Sequence, residues 1–322
     1  MRRFILFTSV LLVLAACSSA PKYSSRAEAI AAQIKDPQSN YVVVACHRGD
    51  WRNWPENSLP AIESVIAMGA DIVEIDVHMT ADSVLVLCHD KDVKRTTNFN
   101  RYCRKNGLEG KSAKVCDLTL EEIKSLSLKR AHQAATIDTL RMPTLKEALA
   151  CTKDRICVNI DKGYDYYDQV MAIAEELGVT DQILIKGTRP IEVVAENEAR
   201  YAHNVLYMPI VSTGGNALLQ SYLDSGTVPV AYELCWGAGD SEEVFAADCK
   251  KIVDQGSKVW VNTLWSSLCG GDGHDDDAAY QAKDPGEVYG FYLKSGVSMI
   301  QTDRPQLLIG WLKKQGRHSL PR

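Results

Sequence analysis

The chain has 322 residues, of which 46% are hydrophobic and 24% charged, and its formal net charge is −5. That length and balance suit one large core, and the acidic charge leaves no basic footprint for nucleic acid. Ten cysteines suit an exported, oxidising setting better than the cytosol.

Met1-Arg2-Arg3 is a positive leader, and Phe4 to Ala16 is an apolar run of 13 residues. A spanning helix needs ~20, so residues 1–16 read as a signal peptide. The run ends in Leu14-Ala15-Ala16-Cys17, which resembles a bacterial lipobox. The resemblance implies cleavage before Cys17, lipidation of its thiol, and an exported lipoprotein facing the periplasm or the cell surface. Membrane contact would then run through the N-terminal anchor alone. Residues 17–40 read as a tether and a first helix.

From residue 41 to about 316, strand-like and helix-like segments alternate. The strand candidates are 41–46, 71–78, 84–88, 155–161, 182–187, 205–211, 229–235, 258–264 and 297–302. Helix candidates are 58–68, 144–151, 166–177, 190–200, 215–224, 241–255 and 304–315. Thr119 with Glu122, Thr144 with Glu147 and Asp240 with Glu243 each fit a cap followed by a carboxylate three residues on. The alternation predicts an α/β fold, a distorted TIM (β/α)8 barrel. Nine strands are one too many. Thr80-Ala81-Asp82-Ser83 leaves no room for a crossover helix, and 229–235 is either the extra strand or part of the barrel. An open doubly wound sheet is the alternative, but no GxGxxG follows the first strand.

Residues 91–142 break the pattern: they are basic and polar, with only 119–130 reading as helix. They are expected to form a subdomain inserted after the third strand, placed to wall the pocket. Cys103 and Cys116 flank a polar loop there and are expected to form a disulfide. Without Cys17 nine cysteines remain, so at least one is unpaired. Cys46 and Cys88 alternate away from neighbouring histidines and read as buried thiols.

The chemistry gathers at strand ends. Tyr41-Val-Val-Val-Ala-Cys ends in His47-Arg48-Gly49, and Val84-Leu-Val-Leu-Cys ends in His89-Asp90. Glu74 and Asp76 between them are two residues apart, on one face of a strand. Two imidazoles suit proton exchange near neutral pH. The carboxylates are hard ligands suited to one divalent cation, Mg²⁺ or Ca²⁺, and Arg48 can clamp an anionic phosphate. A third ligand is needed from across the barrel mouth, and Asp161 is the candidate.

Eight short motifs occur in order. They are His47-Arg48-Gly49, Pro55-Glu56-Asn57-Ser58, Glu74-Ile75-Asp76-Val77, Thr80-Ala81-Asp82, His89-Asp90, Arg95-Thr96-Thr97, Pro143-Thr144-Leu145 and Thr302-Asp303-Arg304-Pro305. Over residues 41–305 the chain resembles the glycerophosphodiester phosphodiesterase family, within the group similar to phosphatidylinositol-specific phospholipase C. The resemblance implies a TIM barrel, divalent-metal dependence, and hydrolysis of a small glycerophosphodiester to glycerol 3-phosphate and an alcohol. It implies His47 as base and His89 as acid, an order the residues themselves leave open.

One departure stands out. The family pattern is carboxylate-x-Lys on the fourth strand, whereas Lys162 follows Asp161 directly. Alternation aims it the other way, so Lys186, ending the next strand, is expected to meet the phosphate in its place. Asn262 and Trp265 either line the alcohol side or pack in the core. Glu56 and Asn57 read equally as helix support, Asp275-Asp276-Asp277 as a helix N-terminus, and His78 as lying past its strand end. Cleavage of intact phospholipid or an inositol phosphodiester on the same barrel is the second enzymatic reading. A TIM-barrel glycosidase would have no need of paired histidines, and a non-catalytic binding lipoprotein would have no need of the full motif set.

Overall fold

A computed structural model describes residues 22–130 and 135–320. Cys17 and the signal peptide lie outside the described residues. The strands are β1 (Val43–Cys46), β2 (Ile72–Met79), β3 (Leu85–Leu87), β4 (Leu128–Lys129), β5 (Thr136–Ile137), β6 (Cys157–Asp161), β7 (Ile183–Gly187), β8 (Leu206–Ser212), β9 (Ala231–Cys235), β10 (Lys258–Asn262) and β11 (Met299–Thr302). The helices are α1 (Arg26–Lys35), α2 (Leu59–Met68), α3 (Phe99–Asn106), α4 (Leu120–Lys124), α5 (Leu145–Thr152), α6 (Tyr167–Leu177), α7 (Ile191–Glu198), α8 (Ala217–Ser225), α9 (Glu242–Gln255), α10 (Asp276–Gln281), α11 (Gly286–Lys294) and α12 (Pro305–Lys314).

Eight parallel strands close in the order β1, β2, β6, β7, β8, β9, β10, β11, with β11 pairing back to β1. This is a TIM barrel. Period-two alternation sorts every strand into two faces. Val44, Cys46, Val73, Ile75, Val158, Ile160 and Ile185 point outward into the layer shared with the helices. Val43, Ala45, Ile72, Cys157, Leu184, Met208, Ala231, Trp260 and Met299 fill the lower interior, where Ile30 and Ile34 of α1 pack beneath them. One step up the same inward face the residues turn polar: His47, Glu74, Asp76, Asn159, Asp161, Lys186, Glu233, Asn262 and Gln301. The barrel is thus dry at its base and charged at its C-terminal mouth.

The surplus strand is the 84–88 run, not 229–235. β2 pairs with β6 as far as Asp76 opposite Asp161. Its last residues, Val77 to Met79, pair only with β3, which runs antiparallel. The hairpin between them is closed by Val84 N–H donating to Thr80 Oγ1 at 2.9 Å. The chain therefore leaves the barrel at the end of β2 and comes back at the rim with His89.

The segment that follows builds its own small core from Val86, Val93, Phe99, Cys103, Val115, Leu118, Ile123 and Leu128. It holds a helix the sequence reading lacked, α3, because only Phe99 and Cys103 of that polar stretch are buried. Cys103 and Cys116 are not bonded to each other: the first is buried and the second exposed beside Asp117. Capping boxes form at Thr119–Glu122 and Thr144–Glu147. At α9 the cap is Ser241 rather than Asp240, whose carboxylate instead accepts from Gly237 N–H at 3.1 Å and from the Thr213 hydroxyl.

Candidate active site

The β2–β6 register places Asp76 beside Asp161, with Glu74 one step below Asp76 on the same face. Ligand oxygens of the three carboxylates all lie within 4.8 Å of one another. Glu74 accepts the Arg48 backbone N–H at 2.9 Å. Burial pushes its carboxyl well above the ordinary range, and the neighbouring Asp76 charge pushes the same way. Asp76 Oδ2 accepts from Asn57 Nδ2 at 3.0 Å, and the Asp76 N–H donates back to Asn57 Oδ1 at 3.0 Å. Burial opposes the Asp76 charge, but Lys162, Arg48 and His89 outweigh it and hold this carboxyl below its usual value. Asn57 is therefore the support of Asp76, and Ser58 is the cap of α2.

Three residues at this mouth have left-handed backbone: Arg48 (φ 52°), Asn57 (φ 56°) and Lys162 (φ 60°). Such angles are uncommon outside glycine and persist where surroundings over-determine them. Gly49 continues the first turn at φ 73°, where a Cβ would sit 2.9 Å from the Ala61 Cβ.

The left-handed turn at Lys162 overturns the alternation argument. Its Nζ lies 2.9 Å from Asp76 Oδ1 and 3.4 Å from Asp161 Oδ2. Lys186 is also at the mouth, but buried and paired with Glu233 at 3.1 Å, with Asp161 at 3.9 Å. Glu233 is itself bonded by Asn262 Nδ2 at 2.7 Å.

Each motif histidine has a carboxylate at Nδ1. His47 Nδ1 is 3.0 Å from Asp303 Oδ1, which also accepts from Trp51 Nε1 at 2.5 Å. The Asp303 N–H donates to Asp276 Oδ2 at 2.6 Å, and burial pushes the Asp276 carboxyl up to about 7. His89 Nδ1 is 2.7 Å from Asp90 Oδ1. Arg95 holds Asp90 through Nε at 2.7 Å and Glu56 through two bonds of 2.5 and 2.7 Å. Arg48 Nη1 reaches Glu56 at 3.2 Å. Hydrogen bonding from Arg95 is the main reason the Asp90 carboxyl is held down to about 2. His78 lies inside β2, not past its end, and its Nε2 is 3.2 Å from the His89 carbonyl oxygen.

A cleft of about 330 Å³ opens on His47, Arg48, Arg95 and Asp303, with Trp51 and Trp265 among its walls. Trp265 is 44% exposed, and its ring centre is 5.9 Å from that of His47. Asn262, by contrast, is buried in hydrogen bonds with Glu233 and Trp260. Of Asp275–Asp277, Asp275 caps α10, while Asp276 is buried under Asp303. Asp303 and Glu233 were both findable: extending the inward alternation one step past Gln301 and Ala231 lands on them. Glu56 and Arg95 stand in two of the motifs and Asp276 in the acidic run, but nothing in the sequence shows that Arg95 bonds Glu56 or that Asp276 bonds Asp303.

Residues 47–197 match the model of the glycerophosphoryl diester phosphodiesterase family. That segment belongs to this family. Residues 207–312 match a domain of unknown function. Glycerophosphodiester phosphodiesterase 1 of Bos taurus is 35% identical over 165 residues, 50% of this chain and 45% of the relative. A glycerophosphodiester phosphodiesterase of Caldanaerobacter subterraneus is 38% identical over 122 residues, 37% of this chain and 44% of the relative. The chain thus spans under half the length of these relatives. A glycerophosphoryl diester phosphodiesterase from Parabacteroides distasonis has the same fold, with a TM-score of 0.68 at 20% identity over 92% of this chain and 94% of its own. An Oleispira antarctica phosphodiesterase, solved with its product sn-glycerol-3-phosphate, matches at TM-score 0.57 and 18% identity over 86% and 100%. The family segment carries both histidines and all three clustered carboxylates.

Proposed function

We propose that the chain is a divalent-metal-dependent phosphodiesterase that hydrolyses glycerophosphodiesters to glycerol 3-phosphate and an alcohol. The observation that carries this reading is one barrel mouth holding three clustered carboxylates and two histidines, each bonded to a carboxylate. An all-oxygen donor set fits Mg²⁺ or Ca²⁺, and Glu74, Asp76 and Asp161 are the residues that would hold the ion. When bound, the ion supplies positive charge against the phosphodiester anion.

The residues divide the remaining work. Arg48 offers its guanidinium to phosphate oxygens. Nδ1 of each histidine is engaged, which leaves Nε2 to exchange the proton. Asp303 holds the His47 ring at Nδ1 and is itself held by Trp51 Nε1, so His47 Nε2 is fixed in position. It is suited to take the proton. His89 is held at Nδ1 by Asp90, which Arg95 fixes in turn, and is placed to give one to the leaving alkoxide. Trp265 and Trp51 offer flat apolar walls to the organic part of the substrate.

The test is a panel of glycerophosphodiesters with purified protein, following glycerol 3-phosphate with and without EDTA. Release that chelator stops is the expected result; no release from any substrate ends the reading.

We also propose that Cys17 carries the lipid and that the domain works outside the cytoplasm at a membrane. The lipobox supports this, and no helix among the described residues is long and apolar enough to cross a membrane. Metabolic labelling with a fatty acid should mark the wild-type chain and not Cys17→Ala.

A further inference from the structure

Asp76 has more partners than a free metal ligand would keep. Its Oδ2 takes Asn57 Nδ2 at 3.0 Å and faces Arg48 Nε at 3.5 Å. Its Oδ1 takes Lys162 Nζ at 2.9 Å, and the same ammonium lies 3.4 Å from Asp161 Oδ2. A divalent ion set between Asp76 and Asp161 would meet the Lys162 ammonium, which bridges the same two carboxylates, at close range and be repelled by it. One of the partners must give way before Asp76 and Asp161 can share a divalent ion.

The three partners differ in how freely they can leave. Asn57 is buried and locked by its reciprocal bond to the Asp76 backbone. Arg48 has a side chain only 14% exposed and is held by Glu56 as well. The Lys162 side chain is 30% exposed and has a long flexible stem. Its backbone explains how it arrives there. The φ of 60° turns it back over the strand. The following Gly163 is packed so closely that a Cβ would fall 2.8 Å from Ile160 Cγ2. The Asp161-Lys162-Gly163 turn thus lays an ammonium across the carboxylates. Lys186 is buried and held nearest to Glu233 at 3.1 Å, with Asp161 at 3.9 Å, so it is the less mobile of the two lysines.

We propose that Lys162 is a built-in competitor of the divalent cation: it neutralises Asp76 and Asp161, and an arriving cation displaces its ammonium toward the barrel mouth. This rests on the metal-dependent reading above. It follows that the loaded site gains a free ammonium beside the position of an anionic substrate, so cation binding precedes tight substrate binding. Affinity for the cation is lower than the three carboxylates alone would give.

Calorimetric titration of Mg²⁺ and Ca²⁺ into wild type, Lys162→Met and Lys162→Gln tests this, with a melting curve of each in EDTA. The expected result is cation affinity at least about tenfold tighter in both variants, with melting in EDTA below that of wild type and recovered by added cation. Acetylation of Lys162 in the wild type, mapped by mass spectrometry, should rise when cation saturates the site. Unchanged or weaker affinity in the folded variants overturns the proposal, as does acetylation that stays level or falls. If neither wild type nor variants bind any divalent cation, the metal reading itself fails. Binding by wild type with no gain in the variants removes only the competition.

Discussion

His47 and Asp303 stand 256 positions apart in the chain and meet at 3.0 Å between Nδ1 and Oδ1. They follow the inward faces of β1 and β11, the neighbouring strands that close the barrel. Asp303 is fixed in turn from two sides, by Trp51 Nε1 and by the bond from its own N–H to Asp276. A carboxylate so held selects one tautomer of His47 and one orientation of the ring.

Asp303→Asn should therefore lower kcat by about 10² to 10⁴-fold, the range for losing a positioned acid or base, with KM changed far less. Steady-state kinetics on a glycerophosphodiester would show it. A kcat within twofold of wild type would mean that His47 does not depend on Asp303.

Arg95 joins the inserted segment to the barrel through bonds to both Asp90 and Glu56. Arg95→Met leaves the Glu56 carboxylate, whose side chain is only 6% exposed, with Arg48 as its remaining partner. The expected destabilisation is about 1–3 kcal/mol, toward the low end because the guanidinium is 45% exposed. Urea unfolding measures it. Activity should fall more than stability alone explains, since His89 loses the neighbour that orients Asp90.

Asp276 makes stability depend on pH. Burial raises its carboxyl from 3.8 to about 7 in the fold, so the folded chain keeps a proton that the unfolded chain releases. The stability tied to that proton is whole below about pH 4 and is lost as pH rises to about 7. Asp276→Asn cannot titrate. Wild type should lose unfolding midpoint relative to this variant as pH rises over that interval, and parallel curves would show that Asp276 stays ionised throughout.

Ile30 is fully buried where α1 packs under the barrel base. Ile30→Ala should cost about 2–5 kcal/mol, the range for large-to-small changes in a core. The polar mouth does not touch this residue, so kcat should hold at temperatures where the variant stays folded.

Much of this architecture can be read from the chain. Apolar runs such as Tyr41–Cys46 and Cys157–Ile160 mark barrel strands because both of their faces are buried, and helices with a cap three residues before a carboxylate announce themselves. The errors have local causes. Alternation assumes extended backbone, and the single left-handed residue Lys162 reverses its result. α3 hides because two buried side chains on one face of a polar stretch give little periodicity. At α9, Asp240 and Ser241 stand side by side as capping candidates. The choice fell to Ser241 because Gly237 and Thr213, which only the folded loop brings near, bond to Asp240. Asp276 lies within an acidic run whose flanking members serve other ends, and only the packing of β11 against it sets it apart.

The antiparallel return of β3 along the free end of β2 means that His89 stands on a piece of chain outside the barrel wall, while the three clustered carboxylates stand on the wall itself. The two halves of the chemistry therefore have separate mountings. On the reading proposed above, replacing the excursion between Met79 and Leu145 with a different one would leave the three carboxylates in place and bring a new proton donor together with new surroundings for the departing alcohol. Diversification of such an enzyme can proceed as an exchange of modules, with the barrel as a constant socket.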